Sequence, residues 1–356
     1  MAVITLNRNK LAQNYLQLDH LFKSNGIEWA PVVKVLCGNR LFIEEVIRLG
    51  AEEVCDSRVS NLRTVRNLSS AVKTVYIKPP PKKSIKNIVR LADTSFNTEF
   101  ETIRMLSEEA QKIGKLHKIL IMIELGELRE GVMGEDFVDF YEKVFRLPNI
   151  EVVGIGTNLA CMYGVLPSND KLIQLALYVQ LIEAKFNRKI PYISAGTSVT
   201  IPLIGMGMLP KAINHFRVGE TLFLGTDVYN NRLFENMNSD VFKLSAEIIE
   251  ISEKPNMPMG ELGYKMSGEI KEFDLSKGNG FSQRAIIDIG LLDIETDHLI
   301  PIDKRLKIVG ASSDMLVIDL DNNEQNYKVG DSIGFRLDYM GLLRVMNSNY
   351  IEKRVE

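Results

Sequence analysis

The chain has 356 residues, 43 lysines and arginines against 46 aspartates and glutamates, and a formal net charge of −3. That length accommodates one large domain and a smaller second one, and the charge balance lacks the basic footprint of a nucleic-acid binder. Three cysteines (Cys37, Cys55, Cys161) without CxxC spacing and four scattered histidines form no zinc pattern; with no signal peptide and no apolar run long enough for a bilayer, the expected setting is a reducing cytoplasm without membrane attachment.

In chain order, residues 2–6 read as a strand and 11–22 as a helix. Eight short apolar runs then recur at 29–35, 53–56, 74–78, 94–97, 119–124, 152–157, 192–195 and 216–224. Charged stretches with apolar residues at helical spacing lie between them, for example 41–49, 102–113, 137–145 and 171–186. Eight strands alternating with helices predict an α/β fold, a parallel (β/α)8 TIM-like barrel. A doubly wound open sheet also alternates, but no Gly-rich fingerprint follows the first strand.

After about residue 238 the pattern changes. Runs at 241–252, 284–289, 306–309, 315–320 and 332–337 are punctuated by turn residues, with no long helical stretch between them. The expected organisation is a barrel over residues 8–235, with residues 1–7 and 236–356 forming a mainly-β domain.

Barrel chemistry sits at the carboxyl ends of the strands. The first run, Trp29-Ala30-Pro31-Val32-Val33-Lys34, closes on a lone lysine before a Gly38-Asn39 turn. A desolvated lysine loses its proton and becomes an amine nucleophile toward carbonyls; the alternative is a lysine whose head reaches solvent. Arg129 follows the fifth run and Asn158 ends the sixth. Ser194-Ala195-Gly196-Thr197-Ser198 closes the seventh, and Arg217-Val218-Gly219-Glu220 lies in the eighth. The hydroxyls and backbone N–H groups of the seventh turn, and the close backbone approach allowed by Gly219, suit a phosphate. A lysine for an aldehyde and turns for a phosphate together call for pyridoxal 5′-phosphate.

On these residues the chain resembles the fold-type III enzymes of the alanine racemase family, in particular the branch acting on ornithine and lysine, whose lysine motif similarly reads Lys-Val-Leu-Cys-Gly. The resemblance covers nearly the whole chain. It rests on Val33-Lys34-Val35, the segment from Glu124 to Val132, Thr197-Ser198, Arg217-Val218-Gly219, Ser313-Asp314 and Tyr339. It implies that Lys34 holds the cofactor and acts as one acid/base. Arg217 would face the pyridine nitrogen, and Arg129 the substrate carboxylate, with Ser313 and Asp314 also lining the substrate. Asn158, Ser194, Thr197, Ser198, Gly219, Glu220 and Tyr339 would complete the cofactor site. It further implies a homodimer in which the β domain completes a partner's active site.

The family's second proton-transfer group, a tyrosine, falls at Leu291 in Ile289-Gly290-Leu291-Leu292-Asp293. Leucine transfers no proton, so Tyr163 and Asp293 become the leading substitutes, with Tyr264 and Cys161 behind them. For a distal substrate ammonium, Glu127, Glu130 and Asp293 are candidates. The resulting expectation is racemisation of a free amino acid, ornithine or lysine, without a metal. The alternatives are an alanine or broad-specificity racemase, a fold-type III decarboxylase or aldolase, and a non-catalytic cofactor carrier. No cysteine follows Cys161 and the last histidine is His298, which argues against the decarboxylase and the metal-dependent aldolase; the β domain argues against the carrier.

Overall fold

The computed structural model describes residues 2–263, 280–321 and 323–356. The chain divides into two compact units, one built from residues 7–241 and the other from residues 1–6 together with 242–354.

The larger unit begins with α1 (Arg8–Ser24), which starts where the Asn7 side chain accepts from the Lys10 N–H at 2.9 Å. Then β2 (Glu28–Pro31), α2 (Arg40–Arg48), β3 (Glu53–Asp56), α3 (Val59–Leu68), β4 (Lys73–Tyr76), α4 (Ile85–Leu91), β5 (Thr94–Asn97) and α5 (Phe100–Lys112) alternate. The alternation continues through β6 (His117–Met122), α6 (Phe137–Phe145), β7 (Ile150–Gly156), α7 (Asn169–Phe186), β8 (Tyr192–Thr197), α8 (Pro202–Gly205), β9 (His215–Val218) and α9 (Glu220–Leu224), and a short ribbon of β10 (Thr226–Asp227) and β11 (Arg232–Leu233) follows. Strands β2 to β9 lie in the order β2-β9-β8-β7-β6-β5-β4-β3, each parallel to its neighbours in that order. The ring closes where Val32 bridges Cys55 and Val33 N–H donates to the Cys55 carbonyl at 2.9 Å. This is the expected (β/α)8 barrel, and Ala30, Val32, Cys55, Val75, Phe96, Leu120 and Met122 pack inside it. Gly196 is required by that packing, because a Cβ there would lie 2.0 Å from the Phe216 ring.

In the smaller unit β1 (Val3–Leu6) runs antiparallel to β12 (Phe242–Pro255). A mainly antiparallel sheet is completed by β13 (Phe281–Ile287), β14 (Leu299–Pro301), β15 (Lys307–Ala311), β16 (Leu316–Asp319), β17 (Ser332–Leu337) and β18 (Glu352–Val355). Along β12 the residues Phe242, Leu244, Ala246 and Ile248 are buried and alternate with more exposed ones, as a half-buried strand demands.

Three elements differ from the sequence reading. The first run stops being a strand at Pro31, and Lys34–Leu36 is one 3-10 turn. The eighth run splits into β9 and α9 at Gly219, because an unbroken apolar run has no period to separate buried strand from buried helix. The smaller unit also contains a helix, α10 (Tyr339–Asn347), whose N-terminus is capped by Asp338 accepting from Gly341 N–H at 2.7 Å. Among the described residues no helix is long and apolar enough to cross a membrane.

Candidate active site

Lys34 lies just past β2. After Val33 bonds to Cys55 the chain tightens through Leu36 N–H to the Val33 carbonyl and Asn39 N–H to the Leu36 carbonyl, both 2.9 Å. Cys37 and Gly38 take left-handed conformations, with φ of 49° and 76°, and Asn39 caps α2 through Phe42 N–H at 3.1 Å. The Gly-Asn signal therefore re-aims the chain at the strand end. Lys34 is exposed on this turn rather than buried at a strand end, so desolvation does not single it out. Its charge bears on Asp56, which is wholly buried at the end of β3. Burial pushes the Asp56 carboxyl up to about 6, against the Arg58 N–H at 2.8 Å, the Asn61 amide at 3.1 Å and the Lys34 cation.

Arg217, on β9, is 5% exposed. Its Nη1 donates to the Ser194 carbonyl at 2.7 Å and to Ser194 Oγ at 2.5 Å, and its Nη2 donates to the Thr157 carbonyl at 3.0 Å. The guanidinium lies 5.1 Å from the Phe96 ring centroid. Burial brings it down to about 10, still far above neutrality, so it remains a cation and a pure donor. Of its five N–H groups, Nε–H and one on Nη2 have no partner among the described residues. Beside it the buried Thr157 Oγ1 also lacks a partner. Ser194 Oγ thus meets Arg217 on one side and His215 Nδ1, at 2.6 Å, on the other.

Two carboxylates shape the loops after β6 and β7. Glu124 accepts the backbone N–H groups of Gly126 at 2.5 Å, Leu128 at 3.0 Å and Arg129 at 3.2 Å. Glu127, 1% exposed, accepts those of Tyr163 at 2.8 Å, Cys161 at 2.9 Å and Val165 at 3.1 Å. Burial opposes the Glu127 charge, but those N–H donors outweigh it and hold the carboxyl below its ordinary value. Glu127 is thus consumed by backbone and is not free to meet a substrate ammonium, a role the sequence left open. Arg129 pairs side-on with both oxygens of Glu130 and donates Nη1 to Cys161 Sγ at 2.6 Å. Asn158 begins the β7–α7 loop half-buried, and Tyr163, 65% exposed, stands on the same loop.

At β8 the chain ends in Thr197, whose side chain and that of Thr200 cap the following turn reciprocally. Ser198 is buried and its Oγ accepts from Thr221 N–H at 3.2 Å, which ties the β8 turn to α9. Gly219 and Glu220 make the β9–α9 junction, with the Glu220 carboxylate accepting from Thr226 Oγ1 at 3.3 Å.

The remaining candidates lie in the smaller unit. Leu291 and Leu292 N–H bond to the Ser312 and Ser313 carbonyls at 2.9 and 2.8 Å, and Gly290 is needed because a Cβ there would sit 2.5 Å from Asp314 N. One loop pair thus gathers Leu291, Asp293, Ser313 and Asp314. Ser313 Oγ donates to Asp314 at 3.1 Å, and Asp293 accepts from Ser348 Oγ at 2.5 Å. Leu291 is 41% exposed. Tyr339 is half-buried at the start of α10. Tyr264 lies outside the described residues. Sequence reasoning passed over Asp56, Thr157 and His215; the last precedes Arg217 by two residues on one strand, a spacing that puts both on the same face.

A profile of the alanine racemase N-terminal domain matches residues 6–227. The chain is 37% identical over 353 residues to an ornithine racemase of Acetoanaerobium sticklandii, covering 99% of each protein. It is 30% identical to a lysine racemase of Thermotoga maritima, covering 99% of this chain and 98% of that one. Among solved structures, an alanine racemase of Bartonella henselae with covalently bound pyridoxal phosphate matches with a TM-score of 0.75 at 15% identity, over 100% of this chain and 99% of that one. A D-threonine aldolase of Filomicrobium marinum matches with 0.73 at 14% identity, over 98% and 88%; such distant likenesses speak for the fold alone. With a family profile across most of the barrel and relatives aligned end to end, the chain belongs to the alanine racemase family.

Proposed function

We propose that this protein racemises a free amino acid, ornithine or lysine, using pyridoxal 5′-phosphate bound at the carboxyl ends of the barrel strands. The observation that carries the site is the pair of cations on adjacent strands: Lys34 just past β2 and buried Arg217 on β9, whose strands pair at Ala30↔Arg217. The unpartnered Thr157 hydroxyl and the two unused N–H groups of Arg217 fit an added polar ring system there. The substrate class is supported by the ornithine and lysine racemases aligned along the whole chain.

Bound there, the cofactor supplies an electrophilic carbonyl and an electron-accepting ring that acidify the α-proton. Lys34 is the amine that holds the carbonyl carbon, and it moves the α-proton on one face of the substrate. Its exposure on a turn, not inside the barrel, leaves the amine accessible to carbonyl and substrate. Arg217, donor-only and cationic, leaves the ring nitrogen an acceptor, which limits electron withdrawal and favours reprotonation over diversion. Thr197, Ser198 and the backbone at Gly219 and Glu220 hold the phosphate, joined by Tyr339. Arg129 grips the substrate carboxylate; its fork already takes the Glu130 carboxylate side-on, the approach a substrate carboxylate needs. Ser313 and Asp314 line the substrate side, and Asn158 the cofactor. The second proton group is Tyr163, with Asp293, already bonded to Ser348, the alternative. The working unit is a homodimer in which the stretch 293–314 completes a partner's site.

The test is a panel of L-amino acids with added cofactor in deuterated water, read by chiral chromatography. L-Ornithine or L-lysine should invert with α-deuterium incorporated, and borohydride should fix the cofactor to Lys34. A kcat/KM for alanine equal to or above those for ornithine and lysine refutes the substrate class and favours the alanine or broad-specificity reading. Label on another lysine refutes the cofactor assignment.

A further inference from the structure

Arg217 is held from below by a line of side chains that the site residues do not explain. Ser194 Oγ, fully buried, has two partners among the described residues: Arg217 Nη1 at 2.5 Å and His215 Nδ1 at 2.6 Å. His215 Nε2 in turn lies 3.4 Å from Glu53 Oε1. The chemistry of the groups gives this line one direction. A guanidinium only donates, so Ser194 Oγ accepts from Arg217. The single hydroxyl hydrogen must then go to His215 Nδ1, which has to be bare. The ring therefore carries its hydrogen on Nε2, the nitrogen that lies nearer the Glu53 carboxylate. The opposite tautomer would leave the Ser194 hydrogen without an acceptor where no water reaches, a costly arrangement.

Position in the fold makes the line long-range. Glu53 and His215 are the first residues of β3 and β9, and both line a cavity of about 470 Å³ with Glu28, Lys73, Thr94 and Tyr192, the first residues of four more strands. That is the amino end of the barrel, opposite the end where Lys34 lies. His215 and Arg217 share a strand face, and Ser194 registers beside His215 on β8. The guanidinium is thus clamped from the floor by an oriented hydroxyl and from the side by the Thr157 carbonyl.

We propose that Glu53, His215 and Ser194 form a positioning relay that, through the two directed hydrogen bonds of Ser194 and the Glu53 carboxylate beside the far nitrogen of the ring, holds the Arg217 guanidinium in the rotamer that leaves its Nε–H and one Nη2 hydrogen free for the cofactor ring. The consequence for turnover rests on the proposed racemase reading; the relay's hydrogen-bond direction does not.

The experiment has two arms on the holoenzyme. With 15N-histidine labelling and the His215→Gln spectrum for assignment, long-range proton–nitrogen correlations should show His215 protonated on Nε2 and bare on Nδ1; the reverse pattern overturns the relay whatever reaction the protein performs. In the kinetic arm, His215→Phe, which cannot accept from Ser194, should lower kcat about tenfold with KM nearly unchanged. His215→Gln, whose amide oxygen can accept from Ser194 while its NH2 faces Glu53, should recover most of that loss. Equal kcat in the Phe and Gln variants overturns the relay, because direction would then not matter. Absence of racemisation in the unsubstituted protein defeats the racemase reading and leaves the tautomer result to stand or fall alone.

Discussion

Glu127→Gln tests how the loop that carries Asn158, Cys161 and Tyr163 is held. The parent carboxylate is buried and accepts three backbone N–H groups, Cys161 and Tyr163 on Oε1 and Val165 on Oε2. In the variant the amide oxygen can keep the first two, as neutral rather than charge-assisted bonds. The NH2 group then meets the Val165 N–H donor to donor. Losing charge assistance on two bonds and leaving one buried N–H unmet costs about 3 kcal/mol locally. The loop cannot easily re-form another way: Ala160 and Gly164 both sit at positive φ, 52° and 72°, and the Ala160 N–H to Val165 carbonyl bond spans the turn at 2.8 Å. Most of the loss should therefore appear as local opening. Hydrogen exchange at Cys161, Tyr163 and Val165 should accelerate by about a hundredfold, and kcat/KM should fall at least about tenfold, since Tyr163 is carried on the loop. Unchanged exchange at these three amides would refute the idea that Glu127 templates the loop, and would reopen its candidacy for a substrate ammonium.

Three further outcomes are expected. Arg217→Glu sets a carboxylate against the Ser194 and Thr157 carbonyls, so urea unfolding should show a loss of about 3 kcal/mol or more, and racemisation should give way to oxo-acid formation; an unchanged rate and product would mean that the arginine does not face the ring. For Asp56, the folded carboxyl sits at about 6 against an ordinary 3.8, so the folded state holds its proton to higher pH. Its contribution to stability is therefore full below the ordinary value and is lost as pH rises through about 6. Asp56→Asn should gain on the parent across that window by up to about 3 kcal/mol, and a pH-independent difference in urea midpoints would contradict this. Finally, Lys34→Ala subunits mixed with subunits inactivated at Asp314 should regain part of the activity if the sites are shared, whereas confirmed heterodimers with none would reject that arrangement.

The alternation of apolar runs and amphipathic stretches was sufficient for the barrel, because buried parallel strands and surface helices write different periods. It did not place the strand ends. The run through Phe216 to Leu224 has one hydropathy and two structures, and only the pairing of β9 between β8 and β2 in the ring separates them. The run through Lys34 looked like a strand to its last residue; the bridge of Val32 to Cys55 ends it earlier and leaves Lys34 on a turn. The site candidates that sequence could nominate were those on strand-end motifs, Lys34, Arg217 and the Thr197-Ser198 turn. Glu127 and His215 could not be assigned this way. A glutamate among glutamates carries no mark of which one is buried under another loop's N–H groups 34 to 38 positions away. A histidine's partners on neighbouring strands are set by register: Ser194 stands beside His215 because β8 and β9 pair there, and Glu53 reaches it across the barrel's end. Local sequence decides which elements form and where the chain must turn; which polar groups meet is decided by closure and register, since only those bring distant donors and acceptors within bonding distance.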